Sequence, residues 1–367
     1  MAKENLRVLL VSDMRHIGGT EIATLIAATE LSPLVEYVGV FGKTGPLFDR
    51  LSALNVPQIN ADCHTKNPFK LLVYLYQLIK TVNTQNIDVI HAQMARPVPF
   101  IWLAKRFFKN KQVKIFWTSR GVDHKTYQKI VPFFSKIGVR GLGNCKLEQQ
   151  KLIRYGYPVE QTDYIYNAYR LTPTDKPMKS LDKEHFTIGT LSALREGRSV
   201  ELFLELVKYM LKNNSDRALR FVIGGDGPHR AVLEKLAEEL GVAKNVEFLG
   251  RITDVAAFMN EIDVFVSPLV VEGDTGAGLS NSIVEAMIMR VPVCAFRAAG
   301  IEEIVINDET GHLIEPRDID AMAEAVLNTI DEKTKTETQV NNAYDLILRE
   351  CDPKEYAQKL LRLYKEL

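Results

Sequence analysis

The sequence predicts a doubly wound α/β protein of two domains. Short leucine-rich and β-branched runs alternate with helical stretches along nearly the whole chain, as in a parallel sheet covered on both faces. This alternation pauses once, between about residues 167 and 184. The length of 367 residues matches about two domains at roughly 150 residues each, each large enough to bury its own core.

The first run, Leu6 to Ser12, ends in polar residues and Gly18-Gly19. A helical stretch from Thr20 to Leu31 follows, with Ile22, Leu25 and Ile26 at helical spacing. Further strands are predicted over Tyr37 to Phe41, Asp88 to Ala92, Lys114 to Thr118, Val139 to Gly141 and Asp163 to Ile165. Helices over Pro68 to Asn83 and Lys146 to Tyr155 lie between them. Thr172, Pro173, Thr174 and Pro177 then mark a polar linker over residues 171–186, after a first domain of residues 1–170.

The alternation resumes with a strand over Thr187 to Leu191 and a helix over Val200 to Asn213. Next come a strand over Arg220 to Ile223, a helix over His229 to Leu240, and strands over Val246 to Leu249 and Val264 to Ser267. A helix over Asn281 to Met289, a strand over Val291 to Ala295 and a helix over Ile319 to Ile330 complete a second domain of residues 187–345. Pro353 to Leu367 reads as an amphipathic helix within a last segment, residues 346–367. Two doubly wound domains facing each other would build a cleft at the carboxyl ends of their strands, where open α/β folds bind ligands. No 20- to 50-residue period repeats, which argues against a solenoid.

Composition excludes several classes. Cys63, Cys145, Cys294 and Cys351 form no CxxC pair and imply neither a zinc site nor a disulfide framework. Apolar stretches such as Leu6 to Val11 and Phe69 to Ile79 fall short of the ~18–20 residues of a spanning helix. No signal-type apolar region follows Lys3 and Glu4, so a cytoplasmic location is expected. Charge is uneven: residues 1–175 carry 23 Lys and Arg against 13 Asp and Glu, and the remainder carries 23 against 33. Either the first half meets something anionic, or the two halves attract each other. A nucleic-acid partner is not expected, because the basic half contains no recognisable binding motif.

Three segments carry the chemistry. In Gly18-Gly19-Thr20-Glu21 the glycines allow close approach of a ligand, and the helix start offers unpaired N–H groups to an anion; a plain tight turn is the alternative. Gly224-Gly225-Asp226-Gly227-Pro228 follows a strand and precedes a helix, and also reads as an ordinary βα turn. In Gly276-Ala277-Gly278-Leu279-Ser280-Asn281-Ser282, a glycine-bearing loop opens a helix in a manner that suits a diphosphate. One turn on, Glu285 can accept hydrogen bonds from a ribose diol, or simply complement the helix dipole. The one Asp-x-Asp pair, Asp318-Ile319-Asp320, precedes an apolar helical pattern and reads as a cap, so neither a metal nor another cofactor is expected.

In chain order, Gly18 to Glu21, Asp88 to His91, Thr118 to Gly121, Ile165 to Asn167 and Gly224 to Pro228 resemble motifs of the family-4 retaining glycosyltransferases of GT-B fold. So do Phe248 to Gly250, Ser280 to Met287, Val291 to Val293, Gly300 to Glu303 and Thr310-Gly311, and together the ten span almost the whole chain. The resemblance implies two Rossmann-like domains, with the last helix returning to the first. It also implies transfer of a sugar from a nucleotide-sugar donor, UDP-linked, to a saccharide or lipid-linked saccharide acceptor in envelope polysaccharide or lipopolysaccharide synthesis.

Carried over residue by residue, Gly18 and Gly19 would line the cleft near the donor phosphates, with Gly225 and Gly278 in donor-side loops. Arg198 stands where the family has a phosphate-binding Lys, with Arg195 beside it; an Arg suits the role through its planar, always-charged fork. Arg251 and Ile252 would meet the base, Leu279, Asn281 and Ser282 the diphosphate, and Glu285 the ribose. His91 and Arg120 would face the acceptor, although His91 also reads as a hydrogen-bonded histidine at a strand end. The pattern has departures. Ala277 stands at the first of the family's two glutamates, for which Glu272 or Asp274 could substitute, and Ala193 stands at its usual Arg. Arg120 replaces a His, Arg290 a small residue and Ala299 a Gly. An impaired nucleotide-sugar-binding homologue and a nucleotide-sugar 2-epimerase are the alternative readings. Trp102, Phe107 and Phe108 among the cations of residues 99–111, and Phe133 and Phe134 within residues 125–136, suit the headgroups of an anionic membrane or a core helix with a solvated cationic end.

Overall fold

The computed structural model describes residues 3–12, 19–121, 124–169, 177–181, 184–214, 217–271 and 279–366. The chain divides into two compact units, Met1–Arg170 with Glu350–Leu367, and Leu171–Asp274 with Leu279–Arg349.

The first unit runs β1 (Glu4–Ser12), α1 (Gly19–Leu31), β2 (Val35–Gly42), α2 (Pro46–Ala53), β3 (Gln58–Asn60), α3 (Pro68–Thr84), β4 (Val89–Ala92) and α4 (Val98–Ala104). It continues with β5 (Lys114–Ser119), α5 (His124–Lys136), β6 (Arg140–Gly143), α6 (Lys146–Arg154) and β7 (Thr162–Tyr164). Its seven strands pair in parallel in the order β3-β2-β1-β4-β5-β6-β7. Because the sheet is covered on both faces, β1 is apolar throughout its centre: Val8 and Leu10 enter one core cluster, Leu9 and Val11 the other.

The second unit holds β8 (His185–Leu191), α7 (Val200–Asn213), β9 (Ala218–Gly224), α8 (Arg230–Glu239), β10 (Val246–Gly250), α9 (Val255–Glu261) and β11 (Val264–Ser267). After these come α10 (Asn281–Ile288), β12 (Val293–Phe296), β13 (His312–Ile314), α11 (Ile319–Asp331) and α12 (Lys333–Glu350). Its six parallel strands are ordered β10-β9-β8-β11-β12-β13. Asp318 caps α11, its carboxylate accepting from Ala321 N at 3.0 Å. The segment expected to be a linker is not wholly one. Leu181 and Met178 pack into the core of the second unit, and Lys179 Nζ donates to the Ile262 carbonyl at 3.1 Å.

The last helix, α13 (Pro353–Lys365), packs on α1, and its Tyr356, Leu360 and Tyr364 join the first unit's core. Tyr364 is held by three groups from neighbouring strands. Its hydroxyl lies 2.6 Å from His91 Nδ1, its carbonyl accepts from Lys114 Nζ at 2.9 Å, and its ring meets Phe116 edge-on. His91 Nε2 lies 2.7 Å from Thr118 Oγ1, so both ring nitrogens of this fully buried histidine are occupied. Burial first, and the Arg120 charge second, push its pKa down to about 3, and it stays neutral.

Two outcomes follow. Replacing Tyr364 with Phe leaves a buried His91 nitrogen unpaired and should cost about 1–3 kcal/mol of stability, read from denaturant midpoints. An unfolded histidine titrates near 6.5 whereas His91 titrates at about 3, so its share of stability is present above pH ~6.5 and is lost as pH falls toward 3. His91→Gln should therefore flatten the loss of stability between pH ~6.5 and ~4, and a slope equal to that of the parent would overturn this account.

Candidate functional site

A parallel sheet delivers every strand-end loop at one edge. In the second unit β8 lies mid-sheet, with β9 and β10 on one side and β11, β12 and β13 on the other. The loops after β8 and β11 therefore part in opposite directions, leaving the crevice where doubly wound sheets bind ligands. The loop after β8 carries Arg195 and Arg198, and the connection after β11 leads to the start of α10 at Asn281.

The β8 loop is fixed by its neighbour. Leu194 N donates to the Asp226 carbonyl at 3.1 Å, His229 N to the Leu194 carbonyl at 2.9 Å, and Ser192 N to the Gly224 carbonyl at 3.0 Å. Only glycine allows this approach at residue 225, where φ is +125° and a Cβ would fall 1.8 Å from the Ser192 carbonyl oxygen. Gly225 N donates to the Gly250 carbonyl at 2.8 Å, so its amide is committed to the protein; Gly225 braces the arginine loop.

Arg198 is half-buried and Arg195 exposed. Burial first, and the Arg195 charge second, lower the Arg198 pKa, which places two cations side by side. Neither guanidinium has an ion pair or hydrogen bond among the described residues. Two like charges brought near each other in this way can meet an anion. The start of α10 complements it. Asn67, Asp254, Asp318 and Asp352 cap their helices with side-chain acceptors, whereas Ser280 makes no such cap on α10. The first-turn dipole of α10 thus has no side-chain acceptor from its own cap residue.

Glu285 lies one turn into α10, half-buried, with no hydrogen bond or ion pair among the described residues. Burial pushes its carboxyl up to about 7. Leu279 is buried, Asn281 exposed and Ser282 half-buried, its hydroxyl 3.2 Å from Ser280 Oγ. Arg251 is exposed just after β10, and Ile252 lies over Gly224. All of these share the carboxyl edge of the second sheet.

In the first unit, the Arg120 fork is spent within the protein. Its two terminal nitrogens donate to Asn167 Oδ1 at 2.6 Å and to Gln93 Oε1 at 2.9 Å, and Tyr356 of α13 adds a further hydrogen bond. Burial disfavours its charge, while Tyr356, Glu21 and Tyr169 favour it. Arg120 is therefore a strut joining strand ends to the last helix. His91 is buried between Tyr364 and Thr118 rather than facing outward, as its alternative reading anticipated. Gly19 begins α1 and is exposed. Gly18, Glu272 and Gly278, together with Asp274 and Ala277, lie outside the described residues. Asn167 belongs to the Ile165–Asn167 motif, which was given no role from sequence, and Gln93 was not singled out; its position just past a strand end was the available signal.

Residues 185–332 match the family Glycosyl transferases group 1. The group 1 segment runs from β8 through α11 and contains both arginines and Glu285. Over 201 residues, 54% of this chain, the sequence is 26% identical to a poly(ribitol-phosphate) alpha-N-acetylglucosaminyltransferase of Staphylococcus aureus (strain COL). That match spans only 37% of the relative's length. An uncharacterized glycosyltransferase of Haemophilus influenzae is 26% identical over 326 residues, covering 86% of this chain and 88% of the relative. The crystal structure of Anabaena HepE in complex with UDP and glucose superposes with a TM-score of 0.79 at 18% identity, covering 99% of this chain and 100% of that one. The fold is thus GT-B.

Glu285 provides a pH test. Its carboxyl titrates at about 7 in the folded chain and near 4.3 unfolded, so the folded state holds the extra proton and loses stability as pH rises from ~4.3 through 7. With its partial exposure discounted, Glu285→Gln should raise stability by about 1–2 kcal/mol at pH ~8 and leave it unchanged near pH ~4. Thermal melts at the two pH values check this, and equal shifts at both would refute it.

Proposed function

We propose that the protein is a retaining glycosyltransferase of the family-4 type, moving a sugar from a UDP-linked donor to a saccharide or lipid-linked saccharide acceptor in bacterial envelope polysaccharide or lipopolysaccharide synthesis. The observation that carries this reading is the pair Arg195 and Arg198, with no counter-ion among the described residues, on the loop after β8 at the same carboxyl sheet edge as the start of α10. A departing nucleoside diphosphate gathers negative charge as the glycosidic bond breaks. Fixed cations and helix-start amides aimed at it, already in place before reaction, stabilise that charge by several kcal/mol. In this reading guanidinium groups and amides meet the charge without a metal ion. Glu285, once ionised, accepts from the ribose hydroxyls, and the Arg251-Ile252 backbone flanks the base.

Support comes from the group 1 segment, which contains these residues, and from the Staphylococcus aureus relative, whose name describes N-acetylglucosamine transfer to poly(ribitol-phosphate). The structural neighbour bound to UDP and glucose favours a uridine donor. A ribose that hydrogen-bonds to the ionised carboxylate should bind more tightly as pH rises from about 6 to 8.

Thermal shift with UDP and a panel of UDP-sugars tests the donor, because a ligand that binds only the folded form raises the melting temperature. Arg198→Ala should weaken UDP binding by about 2–3 kcal/mol, roughly a hundredfold in Kd. Arg198→Lys should fall between the two, keeping the charge but losing the fork. Product analysis then separates the alternatives. A transferred sugar of retained configuration supports this reading, a changed sugar still on its nucleotide indicates an epimerase, and binding without turnover indicates an impaired homologue. No shift with any nucleotide would overturn the donor site.

A further inference from the structure

The surface of α3 is unusual for a helix that packs on a sheet. Tyr74, Leu78 and Val82 face inward and are buried. The opposite face, where polar side chains are the rule, carries Phe69, Leu72, Val73 and Tyr76, exposed by 75%, 62%, 55% and 65%. Their spacing of zero, three, four and seven makes one stripe along the outside of the helix. Asn67 fixes where the stripe begins, its side chain accepting from Phe69 N and Lys70 N.

The charges around the stripe have one sign. Lys66 and Lys70 are exposed at its start, and Lys80 is exposed one turn beyond Tyr76. No acidic residue occurs in α3, and residues 63–147 contain 15 Lys and Arg against 2 Asp. At the far end of α3, Asn83 Nδ2 donates to the Phe107 carbonyl at 3.2 Å and Asn83 Oδ1 accepts from Lys109 N at 2.7 Å. Phe107 is itself 64% exposed, among Lys105, Arg106 and Lys109.

We infer that this face of α3 docks on the surface of an anionic lipid bilayer, with the four apolar side chains entering the headgroup–acyl boundary and the lysines meeting lipid phosphates. Aromatic and aliphatic side chains rimmed by lysine suit that layer, and each basic residue near it contributes on its own. A second copy of this chain is a poorer occupant, since a two-fold contact would set one basic rim against another. A single stripe is also narrow beside the roughly 800 Å² per partner of a stable protein interface. The inference goes beyond the transfer reading and is independent of it, because vesicle binding requires no donor.

Co-sedimentation with vesicles of phosphatidylcholine, alone and mixed with phosphatidylglycerol, tests it. The chain should pellet with the mixed vesicles and be released as salt is raised. Replacing Phe69, Leu72, Val73 and Tyr76 together with Ser should weaken binding about tenfold or more, with the melting temperature and its shift by UDP unchanged. Lys66→Glu, Lys70→Glu and Lys80→Glu combined should abolish the preference for the anionic lipid. The inference is overturned if the parent chain pellets with neither vesicle, or if the serine variant binds as well as the parent. It is equally overturned if sedimentation velocity finds a dimer that the serine variant dissolves without lipid binding. Loss of vesicle binding with the UDP shift intact would remove this inference alone, and the reverse outcome would remove only the donor reading.

Discussion

The second unit holds two positive charges close together, with no ion pair for either among the described residues. Arg195 and Arg198 repel each other, and Arg198 is partly withdrawn from water, so the loop between β8 and α7 resists the geometry it is given. That geometry persists because the β9 loop grips the β8 loop through backbone hydrogen bonds that a side chain at residue 225 would prevent. Charge held in place in this way is a common arrangement where function requires it prearranged. Glu285 shows the opposite sign, a half-buried carboxyl with no ion pair among the described residues.

Much of the scaffold was legible because strands buried on both faces leave continuous apolar runs. The strand at Val264–Ser267 and the helix at Val200–Asn213 were read to the residue. β3 and β13 were missed: each is three residues long and lies at a sheet edge, too short for any period to appear. Helices α2, α9 and α12 were also missed, and α4 and α5 were read as helix only as one alternative for residues 99–111 and 125–136. α5 contains Pro132, and α12 is mostly polar, holding its place through Val340, Ala343, Tyr344 and Ile347. Within the site, Glu285 was legible from its place one turn into a helix that opens from a glycine-bearing loop, whereas Arg198 and Arg195 came from the family resemblance. A hydrogen-bonded His91 was one reading of the sequence, but its partner Tyr364, 273 residues away, was not legible.

Departures from the family pattern find their reasons in such long-range packing. Arg290 follows the end of α10 with φ of +56°, and its guanidinium sits 3.7 Å over the ring of Tyr344 while donating to Asn341, both on α12. A small residue there would give up that anchor. Arg120 in place of a histidine ties the ends of β4 and β5 to Asn167 and to Tyr356 of α13. In both cases an extra cation has been recruited to fasten a helix that comes later in the chain.

The position of α13 sets the order of events during synthesis. Its Tyr356, Leu360 and Tyr364 fill the same core as Val8, Leu10 and the inner face of α1, yet they leave the ribosome only after the whole second unit has been made. Until then the core that α1 and α2 share with β1 lacks these side chains, while the later-made unit, almost contiguous in sequence, is already complete. The first half of the chain thus closes its core with the last residues to be synthesised.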